Sequence, residues 1–317
     1  MSDDTIKIAG IDTGKDYLDI AVAGCAEKPL RLSNDAAGFR ALGRHLLDGD
    51  VRRVGIEASG GYERKVVAHL RGLGLEVALL QPAQVRAYAR MHLRRAKNDR
   101  LDAQLIAAFT ATLEAVRAPA DPRLAPLSDH LTFIEQTEAD IARARTRLEH
   151  QHEPRLRAMI EDDIDRLVSR RTGELRALEA FLRAQPDLAR KLDLVLSVPG
   201  IGTRTALTLI VAMPELGDLS REQAASLAGL APFDNDSGKR SGRRTIKAGR
   251  ARIRTALYCA AMPAAYRWND ALIAMRKRLA ARAKTHKQIM IACARKLLTF
   301  ANCVIQRQQP WQKQSPT

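Results

Sequence analysis

The chain has 317 residues and a formal net charge of +16 at pH 7, because 52 Lys and Arg residues outnumber 36 Asp and Glu residues. This length allows two domains with sizeable cores. The sequence contains no Walker-type phosphate-binding loop, which excludes a P-loop ATPase. No apolar stretch approaches the roughly 20 residues of a membrane span, and the start of the chain does not resemble a signal peptide. The composition therefore favours a cytoplasmic protein without a membrane partner.

The positive charge is concentrated near the end of the chain. Residues 237–296 hold 17 Lys and Arg residues and one acid, Asp270, while the rest of the chain is close to neutral. One sign of charge in one place predicts a surface that binds a polyanion. The alternative is a solvated surface that only keeps the protein in solution. The four cysteines form no C-x-x-C pair, so a zinc knuckle is not indicated and reduced thiols are expected.

Strand and helix patterns alternate over residues 1–118. Apolar or alternating runs predict strands at 6–12, 17–23, 29–33, 51–58 and 75–80, and helical spacing predicts helices at 34–47, 62–70, 82–88 and 98–116. Asn34 stands where the first helix begins and is a candidate N-cap. Three strands followed by helix, strand, helix and strand is the order of a ribonuclease-H-like domain. Alternation alone also allows a doubly wound sheet.

The remaining residues carry helical patterns. Residues 119–190 are predicted to form a helical linker or coiled coil, broken near Pro154. Residues 191–317 are predicted to form a mostly α-helical domain with Gly and Pro turns. One of these turns resembles the hairpin of a helix-hairpin-helix element, in which Gly200 and Gly202 would expose backbone N–H groups to a phosphate. An ordinary tight turn explains the same residues.

Four acids of the first domain are candidate metal ligands. Asp12 and Glu57 each end an apolar strand, and Asp99 and Asp102 share one face of a predicted helix. Acids beside buried residues are costly unless they are solvated, paired or bound to metal. Several carboxylates are needed to hold the divalent ions of a phosphoryl transfer. Asp99 alone could instead interact with a helix dipole. Nearby cations that could contact a phosphodiester are Arg94, Arg95 and Lys97.

A second candidate site lies between residues 236 and 254. It combines serine, glycine and many cations, so a serine such as Ser237 could be a nucleophile or a phosphate anchor. No histidine lies nearby in the sequence, so a hydrolase triad is not indicated. Without other information a loop serine has no special role. The candidate phosphate contacts are Lys239, Arg240, Arg243, Arg244, Lys247, Arg250, Arg252 and Arg254.

Seven short motifs occur in order along nearly the whole chain. They are G-I-D-T-G-K (10–15), G-I-E-A-S-G-G-Y-E (55–63), K-N-D-R-L-D-A (97–103), V-P-G-I-G (198–202), L-A-G-L-A-P (227–232), D-S-G-K-R-S-G (236–242) and I-K-A-G-R-A-R-I-R-T-A-L-Y (246–258). Together they resemble the RuvC-like DEDD transposases of bacterial insertion sequences, relatives of the Piv and MooV DNA invertases. V-P-G-I-G alone is common in DNA-binding proteins, whereas the ordered set is specific.

The resemblance implies a fold, a site and partners. It implies that Asp12, Glu57, Asp99 and Asp102 bind Mg²⁺ or Mn²⁺, and that Ser237 attacks a DNA phosphate to form a phosphoserine link. It implies duplex DNA partners, namely element ends and target. It also implies a dimer or tetramer in which the acidic domain of one subunit meets the serine domain of another. For many members it further implies a structured noncoding RNA that pairs with both DNAs.

Two other functions are consistent with parts of the sequence. A stand-alone Holliday-junction resolvase or structure-selective nuclease would use the four acids without Ser237. A non-enzymatic DNA-binding protein would depend on neither a metal nor the serine. Element ends and a noncoding segment beside the gene would favour the recombinase.

Overall fold

The computed structural model describes residues 6–25, 28–58, 60–92, 99–116, 121–233 and 245–312, with the backbone alone described at 99–101. The chain divides between Pro119 and Ala120 into an N-terminal unit and a C-terminal unit. The strands of the N-terminal unit are β1 (Lys7–Thr13), β2 (Tyr17–Val22), β3 (Leu30–Ser33), β4 (Val51–Glu57) and β5 (Glu76–Leu80). Its helices are α1 (Ala36–Asp48), α2 (Arg64–Gly72), α3 (Pro82–Met91) and α4 (Asp99–Ala111).

The five strands form one mixed sheet in the order β3–β2–β1–β4–β5. β2 runs antiparallel to both β1 and β3, whereas β4 runs parallel to β1 and β5. The predicted α/β architecture of this region is therefore confirmed, and the predicted strands and helices occur in the predicted order. The last helix is shorter than predicted, because it ends at Ala111 and not at Val116.

Helices cover both faces of the sheet. Ile11 of β1 and Ile56 of β4 belong to one core with α1 and α2. Leu80 of β5 belongs to a second core with α3 and α4. Successive strand residues point to opposite faces, so the neighbours of Ile11 and Ile56 on their own strands face α4.

The start of α1 differs from its prediction. The N-cap is Asp35, whose carboxylate accepts two backbone N–H groups of the first turn at 2.9 and 2.8 Å. The assignment of Asn34 as N-cap was wrong, because its side-chain amide donates to Gly14 O at 2.8 Å and to Tyr62 O at 3.3 Å. Asn34 therefore connects the turns that follow β1 and β4.

The C-terminal unit is mostly helical. Its helices are α5 (Leu124–Glu149), α6 (Pro154–Arg183), α7 (Pro186–Leu196), α8 (Thr203–Ala212), α9 (Arg221–Leu227), α10 (Ala251–Pro263), a π-helix (Ala264–Trp268), α11 (Asp270–Ala281) and α12 (His286–Arg307). A short antiparallel ribbon joins β6 (Pro232–Phe233) to β7 (Thr245–Ile246). The sequence predicted no strand here, because two-residue strands leave no periodic pattern.

The helices α5 and α6 form a long hairpin. Pro154 opens α6, where its missing N–H costs no helical hydrogen bond. The sequence predicted that residues 119–190 form a helical linker or coiled coil, separate from the domain that follows. In the structure, Leu131 and Leu182 at the base of the hairpin are fully buried in the same core as the later helices. A smaller cluster, which includes Ile160, packs farther along the hairpin.

α12 is the one helix, in the described part of the chain, that is long and apolar enough to cross a membrane. Arg295 and Lys296 interrupt its apolar run. Cys293, Leu297 and Ala301 are fully buried in the C-terminal core. This burial is typical of a helix in the core of a domain.

Candidate functional site

Asp12 and Glu57 lie at one edge of the sheet. β1 and β4 are parallel and pair through Ile11 and Ile56, so Asp12 and Glu57 are the next residues in register. Both side chains are partly buried. Because Ile11 and Ile56 point toward α1 and α2, the two acids point to the opposite face of the sheet. The predicted strand-end acids are therefore neighbours on the α4 face.

Two glycines let α4 lie close against this face. A Cβ atom on Gly10 would overlap the backbone of Ala103 and Ala107, and a Cβ atom on Gly55 would overlap the side chain of Thr110. Asp102 directly precedes Ala103 on α4 and is partly buried. The glycines therefore allow the helix that carries Asp102 to pack on the two strands that carry Asp12 and Glu57.

We expect Gly10→Ala to lower the free energy of unfolding by about 1–3 kcal/mol, because the added methyl meets backbone atoms that cannot move without displacing α4. Urea denaturation measures this change. Gly173→Ala is the matched control, since Gly173 lies inside α6 with open space around it. That variant should be stabilised by about 0.5–1 kcal/mol. Equal stability of the Gly10 variant and wild type would contradict the close approach of α4.

A further carboxylate on this face was not found from the sequence. Asp19 pairs directly with Asp12 across β1 and β2, and it is fully buried. Its carboxylate accepts two hydrogen bonds from the Arg31 guanidinium, at 2.7 and 2.6 Å. This bidentate pair balances a charge that would otherwise be buried next to Asp12. The sequence signal that could have indicated this residue was an acid placed between two apolar strand residues, Leu18 and Ile20, which face the core on the other side of the sheet.

The predicted metal site is only partly described. Among the described residues, no three His, Cys, Asp or Glu side chains form a group that could hold a metal ion. The backbone of Asp99 begins α4, three residues before Asp102, but its side chain lies outside the described residues. Both the backbone and the side chains of Arg94, Arg95 and Lys97 also lie outside the described residues. The described donors are carboxylates on one face of the sheet, the hard oxygen ligands that Mg²⁺ and Mn²⁺ prefer.

The segment that carries Ser237 is framed by two motif turns that contact each other. Gly229 and Gly249 have φ angles of +67° and +71°, and a Cβ atom on either would overlap backbone of the other turn. Arg250 N donates to Leu227 O at 2.7 Å. The chain enters residues 234–244 from β6 and leaves them into β7, its antiparallel neighbour. These residues lie outside the described part of the chain and include Ser237, Lys239, Arg240, Arg243 and Arg244.

The described cations of this region have different environments. Arg250 donates to both carboxylate oxygens of Glu215, each at 2.7 Å. Arg254 donates to the backbone carbonyl of Ala248 at 2.7 Å. Lys247 is exposed. Arg250 therefore stabilises the fold, whereas Lys247 is exposed to solvent.

Arg252 belongs to an ion-pair network. Glu135 lies 2.9 Å from Arg252 and 3.4 Å from Arg204, and Arg204 also lies 3.0 Å from Glu138. The network joins α5, α8 and α10. Arg252 is therefore engaged in holding the base of the helical hairpin to the rest of the C-terminal unit.

The V-P-G-I-G turn connects α7 to α8. Gly200 has a φ angle of +98°, and a Cβ atom there would overlap the Ala264 side chain. Asn269 donates to Pro199 O at 2.9 Å. Gly202 is exposed and is the N-cap of α8, with no side-chain cap of its own. The N-terminal end of α8, with its backbone N–H groups, therefore begins at an exposed residue. The π-helix and Asn269 pack against the turn and hold it in place.

Two family models match the chain. Residues 9–160 match a DEDD-type model described as a transposase, and residues 192–277 match a model described as the transposase IS116/IS110/IS902 family. The chain belongs to the IS110 family of transposases. Membership of this family makes the protein an enzyme of DNA strand exchange. The four acids of this transposase fall in the first match, and Ser237 falls in the second.

Relatives of the transposase include two DNA-inverting proteins. The pilin gene-inverting proteins of Moraxella bovis and Moraxella lacunata are 28% and 27% identical to it over 319 residues, covering 96% of this chain and 97% of each relative. An uncharacterized 43.6 kDa protein of insertion element IS110 from Streptomyces coelicolor is 34% identical over 134 residues, covering 39% of this chain and 31% of that protein.

Proposed function

We propose that this transposase cuts and rejoins DNA through a phosphoserine intermediate formed by Ser237, with the help of divalent metal ions. The observation that carries the proposal is the placement of Asp12 and Glu57 side by side on one sheet face, against which the Asp102-bearing α4 packs. A nuclease or recombinase that handles phosphates needs carboxylates gathered in this way.

The sheet supports a RuvC-like, ribonuclease-H-like assignment for residues 1–118. Three antiparallel strands followed by two parallel strands, in the order β3–β2–β1–β4–β5, is the arrangement such a domain requires. In this proposal residues 119–190 are a helical spacer and residues 191–317 are the serine-bearing domain. The α7–turn–α8 segment is its helix-hairpin-helix-like element.

Asp12, Glu57, Asp99 and Asp102 are the residues that would hold Mg²⁺ or Mn²⁺. The ions, when bound, neutralise charge that develops on the phosphate and polarise the reacting oxygens. The neighbouring carboxylate of Asp19 is hydrogen-bonded to Arg31 and is not included in this ligand set.

Ser237 performs the covalent step in this proposal. Its Oγ forms a bond to phosphorus while the bond from phosphorus to the oxygen of the adjoining nucleotide breaks, and that oxygen leaves with a proton. A hydroxyl end of another strand then attacks the phosphoserine, which frees the serine and seals the new junction. The phosphoester bond is conserved at each step, so no ATP is needed. Cations could stabilise the charged phosphate; they are Lys239, Arg240, Arg243 and Arg244.

The partners proposed are duplex DNA of element ends and target, a second or further copy of the chain, and a structured noncoding RNA, all in the bacterial cytoplasm. Phosphates would contact the N–H end of α8 at Gly200 and Gly202. The cations proposed to assist are Arg94, Arg95, Lys97, Lys247, Arg250, Arg252 and Arg254. The environments of Arg250 and Arg252 favour a supporting role for these two residues.

We expect DNA affinity to fall steeply with salt, with a log–log slope of roughly −0.9 per phosphate contact. Lys247→Ala should make this slope shallower by about one contact, because Lys247 is exposed. Arg250→Ala should mainly lower the melting temperature, because it removes the Glu215 ion pair. Fluorescence anisotropy at several salt concentrations and thermal melting measure the two effects. An unchanged slope for Lys247→Ala would remove that residue from the interface.

Product analysis tests the proposed function against a nuclease. Purified transposase with Mg²⁺ and plasmids that carry the element junction and its target should yield rejoined recombinant strands. If the proposed guide RNA is required, it is supplied by transcription of the flanking DNA. A stand-alone resolvase or nuclease would instead yield nicked or broken strands, with no transfer between molecules. Cut products alone, with the RNA present, would favour that alternative.

A further inference from the structure

The π-helix exposes two large aromatic side chains in a chain that has few. Trp268 is 60% exposed and Tyr266 is 51% exposed. The whole sequence contains only two tryptophans and five tyrosines. Large aromatic side chains are mostly buried on average, and Tyr and Trp are enriched at interfaces with partners. We call residues 266–268 the aromatic segment.

The aromatic segment is held in a defined position. Asn269, which directly follows Trp268, is 2% exposed, donates to Pro199 O, and caps α11 by accepting from Leu272 N at 3.2 Å. Ala264, at the start of the π-helix, packs where Gly200 has no side chain. The segment is therefore anchored on the V-P-G-I-G turn. π-Helices are rare and occur frequently at functional sites.

Cations lie within the aromatic segment and on the helix that follows it. The Arg276 guanidinium lies over the Tyr266 ring, 4.3 Å from its centroid, and donates to Ala265 O at 3.0 Å. Arg267 lies between the two aromatic residues and is exposed. Other exposed cations on and after α11 are Lys277, Arg278, Arg282 and Lys284. This charge suits a polyanion and disfavours a purely apolar partner.

We propose that the aromatic segment stacks on an unpaired base of the substrate DNA, with Trp268 as the main contact. Rings and guanidinium planes stack on nucleobases of any sequence, while nearby cations attract the phosphates. The bases inside a duplex are covered by their neighbours, whereas strand exchange must expose some of them. The inference rests on the proposed strand-exchange function and adds to it a binding site for the separated strand.

Tryptophan fluorescence tests the contact directly, because the chain has two tryptophans and the second one packs on Phe300 with ring centroids 4.3 Å apart. The Trp311→Phe variant makes Trp268 the sole tryptophan, and excitation near the red edge of the indole band avoids emission from the five tyrosines. Duplex DNA with a central gap of several unpaired nucleotides should quench its emission at saturation. Continuous duplex of the same outer sequence should quench it much less.

The DNA affinities of Trp268 variants provide a second, independent test of the stacking contact. Trp268→Ala should bind gapped DNA about 5- to 100-fold more weakly than wild type, which is the usual range for loss of one stacked base. It should bind continuous duplex with unchanged affinity, because phosphate contacts remain. Trp268→Phe should recover part of the loss. Trp268 is mostly exposed, so these variants are expected to fold, and circular dichroism checks this.

The outcomes separate this inference from the function beneath it. If wild type binds neither DNA, with the proposed guide RNA also supplied, the proposed function fails with the inference. If wild type binds both DNAs equally and Trp268 is not quenched, only the inference is overturned. It is also overturned if the loss appears with single-stranded RNA alone, or if Trp268→Ala changes the oligomeric state measured by light scattering while DNA binding stays the same.

Discussion

Replacing Ser237 with alanine is expected to abolish recombination and to remove any protease-sensitive protein–DNA adduct, whereas Ser241→Ala should retain both. Both serines precede glycine, and each lies four residues from the β6–β7 ribbon, Ser237 after Phe233 and Ser241 before Thr245. Their sequence distance from the β6–β7 ribbon therefore does not distinguish the two serines. The resemblance to the family favours Ser237, because it implies a catalytic serine after the L-A-G-L-A-P turn, in the sequence Asp-Ser-Gly.

The expected loss is at least about 1000-fold, because removal of a covalent nucleophile leaves only binding and charge stabilisation. Recombinant molecules are counted by quantitative PCR, and the adduct is detected by denaturing gel electrophoresis with and without protease. Binding to continuous duplex should be unchanged in both variants, which controls for folding. Mass spectrometry of a trapped complex identifies the linked residue. DNA attached to Ser241, or cutting by Ser237→Ala at the wild-type rate, would refute the assignment.

Single removal of any acid of the tetrad should also abolish strand exchange. The variants are Asp12→Asn, Glu57→Gln, Asp99→Asn and Asp102→Asn. Each replaces a negatively charged side chain, proposed as a metal ligand, by an amide of similar shape, so we expect activity to fall at least about 100-fold while duplex binding persists. Excess EDTA should have the same effect on wild type, and Mg²⁺ or Mn²⁺ should restore activity. Isothermal titration calorimetry with Mn²⁺ reports metal binding independently of activity.

Asp19→Asn is the matched control on the same face. Its carboxylate is buried against Arg31, which is half exposed, so its loss should lower the free energy of unfolding by about 1–3 kcal/mol. Asp12→Asn should remove Mn²⁺ binding. If Asp12→Asn recombines at the wild-type rate, Asp12 is not a metal ligand. If Asp19→Asn alone loses Mn²⁺ binding while it remains folded, the ligand set must include Asp19.

The sequence by itself determined the order of elements in the N-terminal unit and the residues at its strand ends. Alternation with a period of two and helical spacing are local properties, so they can be recognised in the sequence without the fold. Asp12 and Glu57 each end such a strand, and parallel neighbouring strands end at the same edge. Their proximity was therefore implied once the strand order was known. The family motifs, which depend on sequence alone, likewise identified the transposase.

Only the tertiary structure decided which polar groups are used within the fold. Arg250 and Arg252 look like their basic neighbours in the sequence, yet Arg250 binds Glu215 and Arg252 binds Glu135, far away along the chain. Asp19 finds Arg31 across the sheet. Trp268, the last residue of the π-helix, is 60% exposed. Local periodicity reports which face a side chain occupies, whereas a side chain's partner depends on distant segments that only folding brings into contact.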